Sequence, residues 1–297
     1  MDIVLGATGR VGSVLVRTLL AKGRTVRAVV RNVDKAAWLQ RVGADVAVAD
    51  FDDAGALRSA FSGGDSVFIL TAENPASHDG IAEGTAFLEM CREAMQAAGI
   101  KRIIGLSSSG AQHATGTGFL TLSYRLEHAF DGMAVEKTFV RPSYYYSNWM
   151  MSLPLARESG VLPTFFPVDF AIPMIAPEDV ARFAAAVFAG EVKTEMVHDI
   201  TGPHSYTASD IARMLGKVIG REVRALPVPE PEWVETLTHV GFSPANARSM
   251  AEMTAATLSG LTAVEGKSIV LPTAFPDYAR QYLAGEDGIP NRDPDSR

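Results

Sequence analysis

A short apolar run, Asp2-Ile3-Val4-Leu5, is followed at once by Gly6-Ala7-Thr8-Gly9-Arg10-Val11-Gly12 and then by an amphipathic stretch. This junction constrains the chain more than any other feature. Glycine lets a strand-to-helix turn stay tight and lets the backbone approach a pyrophosphate, while the helix N-terminus offers free N–H groups and the positive end of its dipole. The spacing is GxxGxxG rather than GxGxxG, but its place between an apolar strand and a helix is the context a dinucleotide loop requires. Gly6, Thr8, Gly9, Arg10, Val11 and Gly12 are therefore the first candidate cofactor contacts. The alternative is a tight turn that binds nothing.

The same alternation continues. Residues 2–5, 25–30, 44–48, 66–70, 102–106 and 136–140 read as strands, nearly continuous apolar runs of the kind buried on both faces of a sheet. Helical patterns lie between them, at 11–22, 34–40, 54–61, 81–98 and 120–130, and Gly23, Gly43, Gly63, Gly64 and Gly99 punctuate their ends. The expected fold is α/β, a Rossmann-like doubly wound parallel sheet with a smaller, mostly helical C-terminal substrate domain. In the second half, Pro142, Pro154, Pro163, Pro167, Pro173 and Pro177 break up regular structure. Helices are expected again at 177–189, 207–219, 230–240, 244–258 and 275–284, with one more strand at 196–200. This places a cofactor-binding domain at 1–143, with 177–201 packing back on it. A substrate-binding domain takes 144–176 and 202–285, and a flexible tail 286–297.

Composition narrows the function. With 27 basic and 34 acidic residues in 297, the net charge of −7 offers no broad basic field for nucleic acid. Cys91 is the single cysteine, so no internal disulfide and no cysteine metal cluster can form, and the six histidines lack metal-ligand spacing. Cys91 itself falls mid-helix and reads as inert core. No signal-like N-terminus or ~20-residue apolar span is visible. The expectation is a cytoplasmic chain, off the membrane, acting on a small molecule as a monomer or homodimer.

The second strand ends Val29-Val30-Arg31-Asn32, where NAD-binding chains carry an acidic residue for the ribose 2′-hydroxyl. A guanidinium binds a 2′-phosphate that a carboxylate would repel. Arg31, supported by Arg10 and Lys35, thus points to NADP(H). Other strand ends add Asp50, Phe51, Thr71, Ala72 and Ser107 to the cofactor set. Asp50 is either a contact to the adenine edge or a helix N-cap.

The segments 6–12, 26–32, 49–53 and 106–110, the run Phe139-Val140-Arg141-Pro142 with its aromatic sequel through Asn148, and Ile200-Thr201-Gly202-Pro203 together resemble the atypical short-chain dehydrogenase/reductases. The NmrA-like branch, which includes NAD(P)H:quinone reductases, triphenylmethane reductase and cofactor-sensing regulators, is the most similar. The resemblance covers about 285 residues. It implies a Rossmann-like domain, a small C-terminal domain and a substrate cleft between them.

It also exposes a departure. Typical short-chain dehydrogenases carry YxxxK on the helix after the fifth strand; here Phe119 stands at the tyrosine slot, Ser123 at the position four before Glu127, and Tyr124 is followed by His128 rather than lysine. A positioned acid contributes about 10²–10⁴ in rate. Without one, the substrate must accept hydride easily or bring its own proton. Ser108, Ser109, Tyr145 and Asn148, at the carboxyl ends of strands, are the candidate catalytic residues. The serines either bond a substrate oxygen or only satisfy the turn. Tyr144, Tyr145, Tyr146 and Trp149, faced by Phe165, Phe166 and Phe170, either line a pocket for a flat substrate or form interdomain core.

Three functions fit: an NADPH-dependent reductase of a quinone, enone or ketone of an aromatic or polycyclic small molecule, a non-catalytic NADP-sensing regulator, and an epimerase or isomerase. The missing Tyr-Lys pair counts against the last.

Overall fold

The computed structural model describes residues 1–32, 36–71, 74–193 and 195–285. Ala72, proposed as a cofactor contact, Lys35 and the tail 286–297 lie outside them. Eight strands form the main sheet: β1 (Asp2–Val4), β2 (Val26–Val30), β3 (Asp45–Val48), β4 (Ser66–Leu70), β5 (Arg102–Leu106), β6 (Glu136–Pro142), β10 (Val197–Thr201) and β13 (Ile269–Val270). Their order is β13-β10-β6-β5-β4-β1-β2-β3, and every ladder is parallel. Parallel strands need crossover helices, and these cover both faces. On one face α1 (Arg10–Ala21) and α8 (Pro177–Phe188) pack together over Val4, Phe68, Ile104, Val140 and Ile200. On the other, Ile3, Val67, Ile103 and Phe139 meet Leu57 of α3 (Ala54–Phe61), Phe87 of α4 (Gly80–Ala98) and Leu126 of α5 (Thr121–His128).

The chain order reverses between β1 and β4. One crossover leaves β1 toward β2 and β3, the other leaves β4 toward β5 and β6, so the carboxyl ends of β1 and β4 part around a crevice. The sequence left one strand of this sheet unseen. β13 adds only Ile269 and Val270 beyond β10, both exposed, so neither length nor alternation could announce it.

A third apolar cluster holds the helical part together. It joins Tyr146, Trp149 and Met150 of α6 (Tyr146–Met150) to Ile211 and Leu215 of α9 (Ala208–Ile219) and to Phe275 and Tyr278 of α12 (Phe275–Leu283). The proline-rich stretch is more regular than its composition implied. β7 (Tyr144–Tyr145), β9 (Ile172–Ile175) and β11 (Ser205–Tyr206) make one small sheet, and β8 (Val161–Thr164) pairs with β12 (Arg224–Pro227). Pro173 is tolerated in the middle strand because pairing to β7 runs through Met174 and Ile175, past the proline. The helix expected over 230–240 is interrupted: a 3-10 turn at Glu230–Glu232 precedes α10 (Trp233–His239), as Pro231 favours a first turn over a helix interior.

Cys91 sits on the buried face of α4 in the second cluster, and burial pushes its thiol well above the usual cysteine range. A thiol held neutral is a poor nucleophile. Titration of the native protein with a chromogenic disulfide at pH 8 should therefore show no fast-reacting thiol, with one equivalent appearing on denaturation.

Candidate functional site

The turn after β1 is shaped by what cannot fit in it. Gly6 adopts φ +64, and a Cβ there would lie 2.8 Å from Leu70 of β4. A Cβ on Gly12 would lie 2.2 Å from the carbonyl oxygen of Gly6, so only glycine lets α1 come this close to the strand end. Gly9 is the N-cap of α1 and supplies no side-chain acceptor, nor is there an acidic residue in the first turn. By contrast, Asp53 caps α3, Asp79 caps α4 and Thr207 caps α9. The first N–H groups of α1 thus face the crevice without a side-chain acceptor, the arrangement a phosphate needs.

Beside this turn, the ends of β2 and β3 bring Arg31 over the ring of Phe51, 5.6 Å from its centroid. Arg31 is exposed. Asp50 lies next to this pair but is not a helix cap: its carboxylate accepts from the Phe51 N–H at 2.7 Å, while Asp53 accepts from Gly55 and Ala56 at the start of α3. That corrects the capping alternative and leaves Asp50 at the rim. Thr71, half-buried, follows Leu70, the last residue of β4, whose side chain lies against Gly6.

The end of β5 is occupied by charge. Ser107 Oγ donates to Glu127 Oε1 at 2.5 Å, and Arg141 of β6 grips the same carboxylate with two bonds, Nε to Oε1 at 2.7 Å and Nη2 to Oε2 at 2.6 Å. The side chain of Glu127 is only 6 % exposed. This pairing holds the Arg141 guanidinium above its ordinary pKa. Next to it on β10, burial raises the carboxyl of Asp199, with Arg141 opposing and Glu127 adding to the rise.

The candidate hydroxyls are engaged elsewhere. Ser108 Oγ donates to the Ser109 carbonyl at 3.2 Å and Ser109 Oγ to the Pro142 carbonyl at 3.3 Å, so both stabilise the turn. Phe119 lies in the 3-10 turn Gly118–Leu120 rather than on α5, fully buried with its ring edge against Gly80 of α4. Tyr124 and His128 stack on each other at 4.1 Å, on the outer side of α5. Neither the tyrosine slot nor the nearest tyrosine therefore offers an acid to the crevice.

The aromatic segment divides three ways. Tyr146 is core, ringed by Tyr206, Phe275 and Tyr278. Tyr145 packs against the α1–α8 side of the sheet. Tyr144, half-buried, meets Trp149 at 6.0 Å and the edge of Phe166 at 5.7 Å, and Phe166 stacks on Phe170. Burial pushes the Tyr144 phenol up to about 12, with a hydrogen bond from Asn148 pulling the other way, so the hydroxyl stays protonated through neutral pH. Phe165 is not part of this wall; it turns to Trp233. Sequence reasoning also passed over the Ser107–Glu127–Arg141 link. A buried arginine in the β6 run and a glutamate on the apolar side of α5 were the signal for it. No cluster of three or more metal-binding side chains occurs among the described residues.

Removing one partner of a buried ion pair leaves an uncompensated charge and costs about 3–5 kcal/mol, whereas an exposed pair contributes under ~1 kcal/mol. Arg141→Ala is therefore expected to lower stability by about 3 kcal/mol in urea denaturation. Lys101→Ala, which removes a 78 % exposed partner of Asp65, should change the midpoint little.

Comparison with known proteins agrees with this architecture. The NmrA-like family model matches residues 3–266. The chain is 29 % identical over 225 residues to a (4-alkanoyl-5-oxo-2,5-dihydrofuran-3-yl)methyl phosphate reductase of Streptomyces griseus, covering 75 % of this chain and 76 % of that one. It is 24 % identical over 290 residues to an NAD(P)H azoreductase of Xenophilus azovorans, covering 96 % of this chain and 98 % of that one. Among solved structures, an NADPH-dependent quinone oxidoreductase of Escherichia coli in complex with NADPH superposes with a TM-score of 0.75 at 24 % identity, over 96 % of this chain and all of that one. The chain belongs to the NmrA-like family.

Proposed function

We propose that the protein is an NADPH-dependent reductase of quinones, enones or ketones of aromatic or polycyclic small molecules. The observation that carries the reading is that an uncapped helix N-terminus after β1 and an aromatic group after β6 both lie at the carboxyl ends of one parallel sheet. In the sequence no Tyr is followed four residues later by Lys. Relatives named as reductases of a furanone phosphate, azo compounds and quinones support it.

The residues fit the cofactor. The N–H groups at the start of α1, opened by Gly9 and Gly12, hold the pyrophosphate. Arg31, with Arg10, pairs with a 2′-phosphate, and Phe51 and Asp50 border the adenine side. Thr71 and Ser107 flank the crevice toward the nicotinamide end. When bound, NADPH supplies the hydride.

The rest of the work is positional. Tyr144 and Phe170, the half-exposed members of the aromatic group, hold a flat acceptor by stacking, and buried Trp149 and Phe166 back them. Asn148, bonded to the Tyr144 phenol, orients an acceptor oxygen. An acceptor that spreads the incoming negative charge over a ring needs no strong acid, and its proton comes from a substrate phenol or from water.

A second reading, an NADP-sensing regulator, is favoured by one observation: Phe119 is buried and Tyr124 faces away from the crevice. Following nicotinamide absorbance with a panel of quinones, enones and polycyclic ketones separates the two. Oxidation of NADPH by at least one panel member is expected; tight NADPH binding with no oxidation by any member would favour the regulator. Arg31→Ala should lower the preference for NADPH over NADH by about tenfold, one charge-assisted phosphate contact. An unchanged ratio would sink the NADP assignment.

A further inference from the structure

The loop Asn74–Gly80 joins β4 to α4 at the carboxyl edge of the sheet, beside the crevice. Much of its backbone converges on one side chain far away in sequence. Asn246, in the first turn of α11 (Pro244–Leu258), is 1 % exposed. Its Nδ2 lies 3.1 Å from the Asn74 carbonyl, 3.1 Å from that of Pro75 and 2.9 Å from that of Ser77, and 3.2 Å from Ser77 Oγ. Its Oδ1 accepts the Gly80 N–H at 3.0 Å. The backbone adds one more tie, from the Ser243 N–H to the Pro75 carbonyl at 2.9 Å.

The chemistry admits one orientation only. An amide nitrogen has two hydrogens and no lone pair to offer, so three carbonyl oxygens around it are satisfied by sharing those hydrogens. Turning the amide over would set its oxygen against the same three carbonyls and leave the Gly80 N–H facing a donor. Gly80 leaves no slack either: a Cβ there would lie 3.0 Å from Phe119 Cε1 and 3.1 Å from Asn246 Oδ1. A buried amide with both its nitrogen and its oxygen engaged on one loop holds that loop in one conformation.

We propose that Asn246 is a positioning residue for the cofactor site: from the C-terminal helices it clamps the 74–80 loop at the carboxyl edge of the sheet, and so fixes that border of the site. This rests on reading the crevice as an NADPH site. It gives helix α11 a part in cofactor affinity although α11 contributes no residue to the glycine turn or to the Arg31–Phe51 pair.

The test uses the full chain and compares wild type with Asn246→Asp, Asn246→Ala and Ser243→Ala. Aspartate has nearly the same shape and still accepts from Gly80, but as a carboxylate it cannot donate to the three carbonyls. Ser243→Ala removes the side-chain cap of α11, which accepts from the Asn246 N–H, and leaves every partner of the amide in place. NADPH affinity is read from nicotinamide fluorescence, and loop order from the rate of proteolytic cutting within 74–80. Both Asn246 variants are expected to weaken NADPH binding roughly tenfold, the scale of a small misplacement of binding groups. Their loops should be cut faster, and Asn246→Asp should keep most of its kcat at saturating cofactor. Ser243→Ala should bind NADPH within about twofold of wild type, since it loosens only a helix end.

If Asn246→Ala does not fold, the aspartate variant carries the comparison. Wild-type affinity in Asn246→Asp with unchanged loop cutting overturns the proposal, as does an equal loss of affinity in Ser243→Ala, which would make the effect one of general loosening. Failure of the wild-type chain to bind NADPH overturns the cofactor reading instead, and loop cutting alone then decides the clamp, equal rates sinking it.

Discussion

The carbonyl oxygen of Gly6 occupies the place where a side chain on Gly12 would begin. That close approach seats α1 on the end of β1, and the remaining features of the crevice depend on it. With α1 drawn in, its N-terminus has Gly9 where α3, α4, α9 and α11 have an aspartate, threonine or serine cap, so its N–H groups meet no side-chain acceptor and stay open to an anion. Because β1 lies beside β4, where the strand order reverses, the opening faces a crevice instead of the flank of another helix.

Charge is distributed around that crevice in two different ways. At its outer rim Arg31 is exposed on Phe51, where water screens it and a ligand can displace that water. Deeper, Arg141 and Glu127 neutralise each other and take in Ser107. A buried pair of this kind contributes little net stability because desolvation offsets the attraction, yet its geometry is rigid. It holds the ends of β5 and β6 and the start of the serine turn in register.

The outline of the sheet was legible because its signal is local. Strands at 66–70 and 102–106 are nearly continuous apolar runs, each a few residues after a glycine, and burial on both faces demands that composition. The glycine turn was legible for the same reason: backbone clash is a property of neighbours in sequence. The two-residue β13 and the short strands around Pro163 and Pro173 were not, because their pairing partners lie in other elements and the prolines speak only of what a residue cannot donate. Asp50 and Asp53 show the limit within one loop, since either fits a capping rule and only the path of the backbone selects Asp53.

By itself the sequence determined the parallel α/β sheet, the phosphate-ready turn and the basic residue at the end of β2, all of which follow from periodicity, chain sterics and residue charge. Only the tertiary structure decided what the other candidates do. Ser108 and Ser109 are bonded to backbone, Tyr146 is core while Tyr144 joins a half-buried aromatic wall, and Asn246 reaches back across 166 residues to the Gly80 N–H. A hydroxyl, a phenol or an amide has the same chemistry wherever it stands in the chain. Its role depends on which donors and acceptors folding brings within about 3 Å, and that is a property of packing rather than of sequence neighbours.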